Sequence, residues 1–219
     1  MNESQLMKLI EEKQYEAALK LLFEAIETSP NDVTHYINAG TILADANQTE
    51  EAERFFQKAI TVNPNHGGAY YGLANLYFNA SRFEEAIKLY QKAIENHLDD
   101  ADTYYMLGMS FVSLSSNQEA LPYLMRAKEL NPHDEEILFQ YGLVLCQIQM
   151  FEEAIATFKE LLQRNPEHTD ALYNLALAQF MLDEDFDQAI ASFEKIVAIQ
   201  PDHLLAGHAI NNFKAMKEE

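Results

Sequence analysis

The chain has 219 residues, 48% of them hydrophobic, with 35 acids against 15 bases and a formal charge of -20. It is too apolar for a disordered chain, and its one cysteine, Cys146, excludes an internal disulfide. The charge argues against nucleic acid and anionic lipid as partners and in favour of basic ones, although it also serves solubility.

From its first residues the chain keeps a period of 34. Alanine recurs at Ala18, Ala52, Ala86, Ala120 and Ala154, and again at Ala189 after one extra residue. Pro30, Pro64, Leu98, Pro132, Pro166 and Pro201 keep the same interval. A fixed period of this length denotes stacked helical hairpins. The apolar spacing predicts helix pairs over 3–12 and 15–28, 32–45 and 49–62, 66–79 and 83–96, 100–113 and 117–130, 134–147 and 151–164, and 168–181 and 186–199. A last helix is predicted over 202–217. The repeats run roughly 1–32, 33–66, 67–100, 101–134, 135–168 and 169–203, and no linker divides them. The expectation is a single array.

Within each repeat, counted so that the proline slot is position 32, position 4 holds Tyr36, Tyr70, Tyr104, Leu138 and Leu172. Position 8 holds the small residues Gly40, Ala74, Gly108, Gly142 and Ala176. Position 24 holds Leu22, Phe56, Tyr90, Leu124, Phe158 and Phe193. Small residues at positions 8 and 20 allow the two helices of a pair to approach closely. One pair cannot bury such a face alone, so neighbours must stack. Capping boxes are expected where second helices start: Asn47 with Glu50, Ser81 with Glu84, and Ser115 with Gln118. Asp134 should cap the helix that follows it.

Three departures stand out. Leu98 replaces a proline, which predicts a less rigid exit turn. Pro122 falls inside a second helix, where it removes a backbone donor. Asp183, Glu184 and Asp185 lengthen one turn. At the ends, Asn2 and Gln5 are too polar to carry another repeat. Leu204, Leu205, Ile210 and Phe213 suggest a covering helix with Asn211, Asn212 and Lys214 exposed.

This pattern resembles the tetratricopeptide repeat (TPR) family, with Tyr or Leu at position 4 where tryptophan is usual. The resemblance implies an all-α, right-handed superhelical solenoid of about six helix pairs plus a C-terminal capping helix. The first helices would line a concave surface. The stretches AYYGLANLYF, YYMLGMSFV, ALPYLMRAKELN and IQPDHLLAGHA are similar to small stand-alone TPR proteins of Bacillus-type bacteria, which implies a role in mediating protein complexes.

In that family, positions 2, 5, 6, 9, 12 and 13 face the groove. Here they supply Asn38, Tyr71, Asn75, Tyr105, Met106, Met109, Phe139, Leu143, Tyr173, Asn174, Leu177 and Phe180. The rings at position 5 read either as half-packed on the next repeat or as clamps for a peptide. Asparagines can hold a peptide unit whatever its sequence. The apolar residues of repeats 4 to 6, with Val112, Cys146 and Met181, form a surface of the kind that marks a partner site. Asp102, Glu136 and Asp170 form an acidic rim, favourable in any case near helix N-termini. None of these positions is basic, so capture of a C-terminal carboxylate is not expected.

No phosphate loop, glycine fingerprint or nucleophile elbow appears. His35, His66, His97, His133, His168, His203 and His208 lack metal-ligand spacing. Cys146 reads as a small hydrophobe. No cofactor, metal or catalysis is expected. The expected function is a protein-protein interaction scaffold that binds a peptide or helical segment, apolar with basic flanks, as a monomer or weak homo-oligomer. The alternatives are a secretion- or export-type chaperone for an apolar client segment, or a self-assembling array. With one cysteine, no leader-like start and no membrane-spanning run, the expected location is the cytoplasm.

Overall fold

The structure, a computed structural model, describes residues 3–218. Thirteen α-helices and no strand occur among the described residues. They are α1 (Glu3–Glu11), α2 (Tyr15–Thr28), α3 (Val33–Asp45), α4 (Thr49–Val62), α5 (Gly67–Asn79), α6 (Phe83–Glu95), α7 (Ala101–Ser113), α8 (Asn117–Leu130), α9 (Glu135–Gln147), α10 (Phe151–Arg164), α11 (Thr169–Asp183), α12 (Phe186–Ile199) and α13 (Leu204–Glu218). Every predicted helix is present, with ends within two residues of expectation. None is long and apolar enough to cross a membrane among the described residues.

The chain forms two compact units, one ending at Ser115 and the other starting at Ser116. In the first, Leu22, Phe56 and Tyr90 are fully or almost fully buried. The Phe56 ring lies over Gly40 of α3 and Gly72 of α5, where any Cβ would collide with it. Consecutive first helices, α3 with α5 and α5 with α7, touch more than the second helices α2, α4 and α6 do. The first-helix side is therefore the inner side of this unit's curve. In the second unit Leu124, Phe158 and Phe193 take the same buried position, with Phe158 against Gly142. There α9 and α11 touch.

The expected capping boxes do not form. Asn47, Ser81 and Ser115 adopt left-handed backbone, with φ of 58°, 57° and 59°. Lys13, Gln149 and Glu184 do likewise in the equivalent turns. The residues at the N-caps are Gln48, Arg82 and Ser116, and none makes a side-chain cap bond. Closing the preceding helix prevails over capping the next one. The amide of Gln48 donates to Leu43 O, that of Arg82 to Tyr77 O and that of Met150 to Leu145 O, each at 2.8 Å. This bond satisfies a terminal carbonyl and reverses the chain within three residues.

First helices are capped at the other kind of turn. Asp134 Oδ1 accepts from the Ile137 amide at 3.0 Å, as expected. Asp32, Asp100 and His168 cap α3, α7 and α11 in the same way.

At Leu98, α6 ends in left-handed His97 (φ 68°), and the Leu98 amide donates to Ala93 O at 3.1 Å. Pro122 is exposed, and α8 runs through it unbroken. The extra residue extends α11 to Asp183, and Asp185 then caps α12.

The C-terminal helix corrects the expected burial. Leu204 and Leu205 are 75% and 58% exposed, whereas Ala206 and Ala209 are buried, with Ile210 and Phe213 packed beside them. Two alanines let α13 lie close to α12, and that contact sets the rotation of the helix. Asn211, Asn212 and Lys214 are exposed. Gln5 is exposed, and Asn2 lies outside the described residues.

Candidate functional site

Positions 5, 9 and 12 of a first helix share one face. All twelve groove residues named above are half-buried, whereas Asp102, Glu136 and Asp170 are exposed. Rings at position 5 rest on the buried ring at position 24 of the same repeat. Tyr71 lies 5.8 Å from Tyr90, Phe139 6.2 Å from Phe158 and Tyr173 5.4 Å from Phe193. Each of these three rings is thus partly packed on the core and partly open to solvent.

In the first unit, the buried Tyr90 hydroxyl donates to Asn75 Oδ1 at 2.6 Å. Burial pushes the Tyr71 hydroxyl above its ordinary range. A hydrogen bond with Asn75 opposes the shift, and the charges of Asp102 and Asp100 add to it. The Asn75 amide is thereby fixed between two tyrosines. The Thr41 hydroxyl is spent on Ile37 O at 3.0 Å. Asn38, Tyr105, Met106 and Met109 are half-buried along the same helices, α3 and α7.

In the second unit, Phe139 also faces His168 at 5.1 Å, and Tyr173 faces His203 at 5.7 Å. His203 Nδ1 accepts from the Ala206 amide at 3.1 Å, and Nε2 lies 3.4 Å from Asp170 Oδ1. Leu143 and Cys146 pack against the α9–α10 core. Burial pushes the Cys146 thiol up to about 11, so it stays protonated at neutral pH. Leu177 joins the neighbouring cluster. Phe180 makes edge contacts with Phe213 at 4.6 Å and Phe186 at 4.9 Å. Asn174 Nδ2 donates to Asp170 O at 2.8 Å, which leaves its carbonyl oxygen as the outward group. Glu136 accepts from Gln140 at 2.9 Å.

Two features of this face emerge only in the folded chain. His168 and His203 act as helix caps that also flank the position-5 rings. Their signal was a shared place just before a first helix. The bond from Tyr90 to Asn75 joins positions on two helices, and only their packing reveals it. Chemically the face offers ring edges, thioethers, amides and carboxylates, the means of non-covalent recognition. No group of three or more His, Cys, Asp or Glu that could hold a metal occurs among the described residues.

Three tetratricopeptide repeat models match the chain, over residues 43–108, 101–134 and 142–203. The chain is 36% identical to YrrB, a TPR protein with an unusual peptide-binding site. That match covers 88% of this chain and 98% of YrrB, with a TM-score of 0.81. It is 22% identical to MamA, over 77% of this chain and 92% of that one, with a TM-score of 0.70. A TPR repeat-containing protein from Cytophaga hutchinsonii matches at 15% identity over 99% of this chain and 89% of that one, with a TM-score of 0.79. The last two likenesses concern the fold alone. No curated protein matches.

Proposed function

Because the chain belongs to the tetratricopeptide repeat family, we propose that it is a non-catalytic scaffold whose first-helix face binds a peptide or helical segment of another protein. The observation that carries this reading is the uniform half-burial of the row. Each side chain is held by the core at its base and meets solvent at its edge. Such a surface loses little freedom on binding.

The groups divide the work. Met106 and Met109 in the first unit, and Leu143 and Leu177 in the second, supply apolar contact, with methionines adapting to shape. Asn75 offers its NH2 group to a ligand carbonyl, and Asn174 offers its oxygen to a ligand amide; Asn38 serves similarly. Asp102, Glu136 and Asp170 select Lys or Arg beside the apolar anchors. YrrB, similar along nearly all its length, has a peptide-binding site, which supports the assignment. The scaffold works in the cytoplasm, as a monomer or weak homo-oligomer.

The test replaces Met109, Leu143 and Leu177 together by Asp and compares affinity capture of partners with the unaltered chain. Capture should be lost while the helical circular dichroism signal persists. Full retrieval of partners by the triple variant sinks the reading.

A further inference from the structure

The first unit carries a second recess on its second-helix side, between α2 and α4, with a volume of about 390 Å³. Three rings build it. Phe23 and Phe55 stack with centroids 5.6 Å apart and planes 19° apart, and Tyr36 lies 6.4 Å from Phe55. The Tyr36 hydroxyl donates to Pro30 O at 3.0 Å, which anchors that ring at its far end. Phe23 is 41% exposed although it is stacked, so the recess exists before anything enters it. An open aromatic surface of this kind is the usual seat of a large apolar side chain.

The charges that line it run against the balance of the chain, although Glu16, Glu24 and Lys20 line the adjoining recess across Phe23. Arg54 and Lys58 stand one turn apart on α4, both exposed and both lining the cleft, with Glu27 the single acid. Acids outnumber bases 35 to 15 in the chain, yet neither cation forms an ion pair among the described residues. Like charges one helical turn apart repel each other, so an anion placed between Arg54 and Lys58 relieves that repulsion. Two cations beside an open aromatic recess draw acidic ligands more strongly than the acidic surface at large does.

We infer that this cleft docks an acidic segment of a partner protein. A large apolar side chain sits against Phe23 and Phe55, and flanking Asp or Glu residues pair with Arg54 and Lys58. The charge preference is opposite to that of the first-helix face, and the two surfaces share no residue.

The test uses a fluorescein-labelled peptide, Gly-Glu-Glu-Leu-Phe-Glu-Glu-Gly, titrated with the full chain and read by anisotropy. Binding should saturate and weaken roughly tenfold between low and high salt. The double variant Arg54→Glu, Lys58→Glu should weaken it roughly tenfold or more. Both side chains are exposed, and unchanged circular dichroism checks the fold. Phe23→Ser should weaken it too, whereas Leu143→Asp with Leu177→Asp should leave it unaltered. Absence of binding overturns the inference. So does equal binding by the double variant, or by a peptide with Lys in place of Glu. If sedimentation shows that the unaltered chain self-associates and Phe23→Ser abolishes this, the occupant is a second copy and the inference also fails.

Discussion

Tyr90 and Asn75 are joined across 2.6 Å, the hydroxyl of a fully buried second-helix ring donating to the amide oxygen of a half-buried first-helix residue. The bond makes a core residue a positioning group for the proposed binding face. Tyr90→Phe should cost about 1 kcal/mol of stability, since it removes one neutral hydrogen bond and keeps the ring. It should also weaken capture of a groove ligand, because the Asn75 amide is then held by Tyr71 alone. Asn75→Ala should weaken capture similarly, and the two changes together should do little more than either alone. Melting curves and ligand titrations of the three variants check this. Fully additive losses would mean that the two residues act separately.

The same tyrosine makes stability depend on alkaline pH. Burial, then the neighbouring Tyr71, holds the Tyr90 hydroxyl far above its ordinary range, and burial raises Tyr71 too. The unfolded chain therefore releases these protons first, near pH 10. The contribution is complete below that pH and is lost as pH climbs from there toward the folded-state values. Unfolding free energy should fall above about pH 10 by up to ~1.4 kcal/mol per pH unit for each such tyrosine. Urea titrations at about pH 9 and about pH 11 measure it. Tyr90→Phe should flatten the slope, and a slope unchanged by that substitution would assign the effect to other groups.

The helices and their buried residues were legible because periodicity reports burial directly. Phe56, Phe158 and Phe193 follow from spacing alone, and so do Gly40 and Gly142, which receive the first two of these rings, whereas Gly72 under Phe56 lies outside the periodic small positions. The turns were less legible. Ser81 followed three residues later by Glu84 fits a capping box, but the same residue must also end the helix before it, and in a three-residue turn that demand prevails. At the C-terminus, Leu204 and Leu205 look like core residues by type. Ala206 and Ala209, one and four positions beyond the pair, set the face of α13, and alanine gives a weak signal. On the proposed face, residue types and positions were readable, but the bonds that hold the Asn75 and Asn174 amides depend on rotamers that no spacing encodes.

Left-handed residues without glycine leave room for stabilisation. Lys13, Ser81 and Gln149 hold φ of 54°, 57° and 65°. A Cβ in that conformation costs roughly 1–2 kcal/mol, and glycine removes the cost while giving back part of it as backbone entropy. Lys13→Gly, Ser81→Gly and Gln149→Gly should each raise stability by roughly 0.5–1 kcal/mol. Asn47→Gly should gain less, because asparagine tolerates this region. Denaturant midpoints test the series. Equal gains at all four positions would show that strain at the Cβ is not the cause.

Two glycines should respond in opposite directions to the same substitution. A Cβ on Gly142 would lie 2.6 Å from Cε1 and 2.8 Å from Cζ of Phe158, a ring with no exposure. That ring is rigid and enclosed, so either α9 or α10 must move, at a cost of roughly 1–3 kcal/mol for Gly142→Ala. Gly207 sits inside α13 with nothing within 4 Å of its Cβ position. There alanine meets no neighbour and restricts the unfolded chain, so Gly207→Ala should stabilise by roughly 0.5–1 kcal/mol. Thermal unfolding of both variants beside the unaltered chain decides the matter. A neutral Gly142→Ala would mean that Phe158 can yield, and the close approach of α9 and α10 would then not depend on the missing side chain.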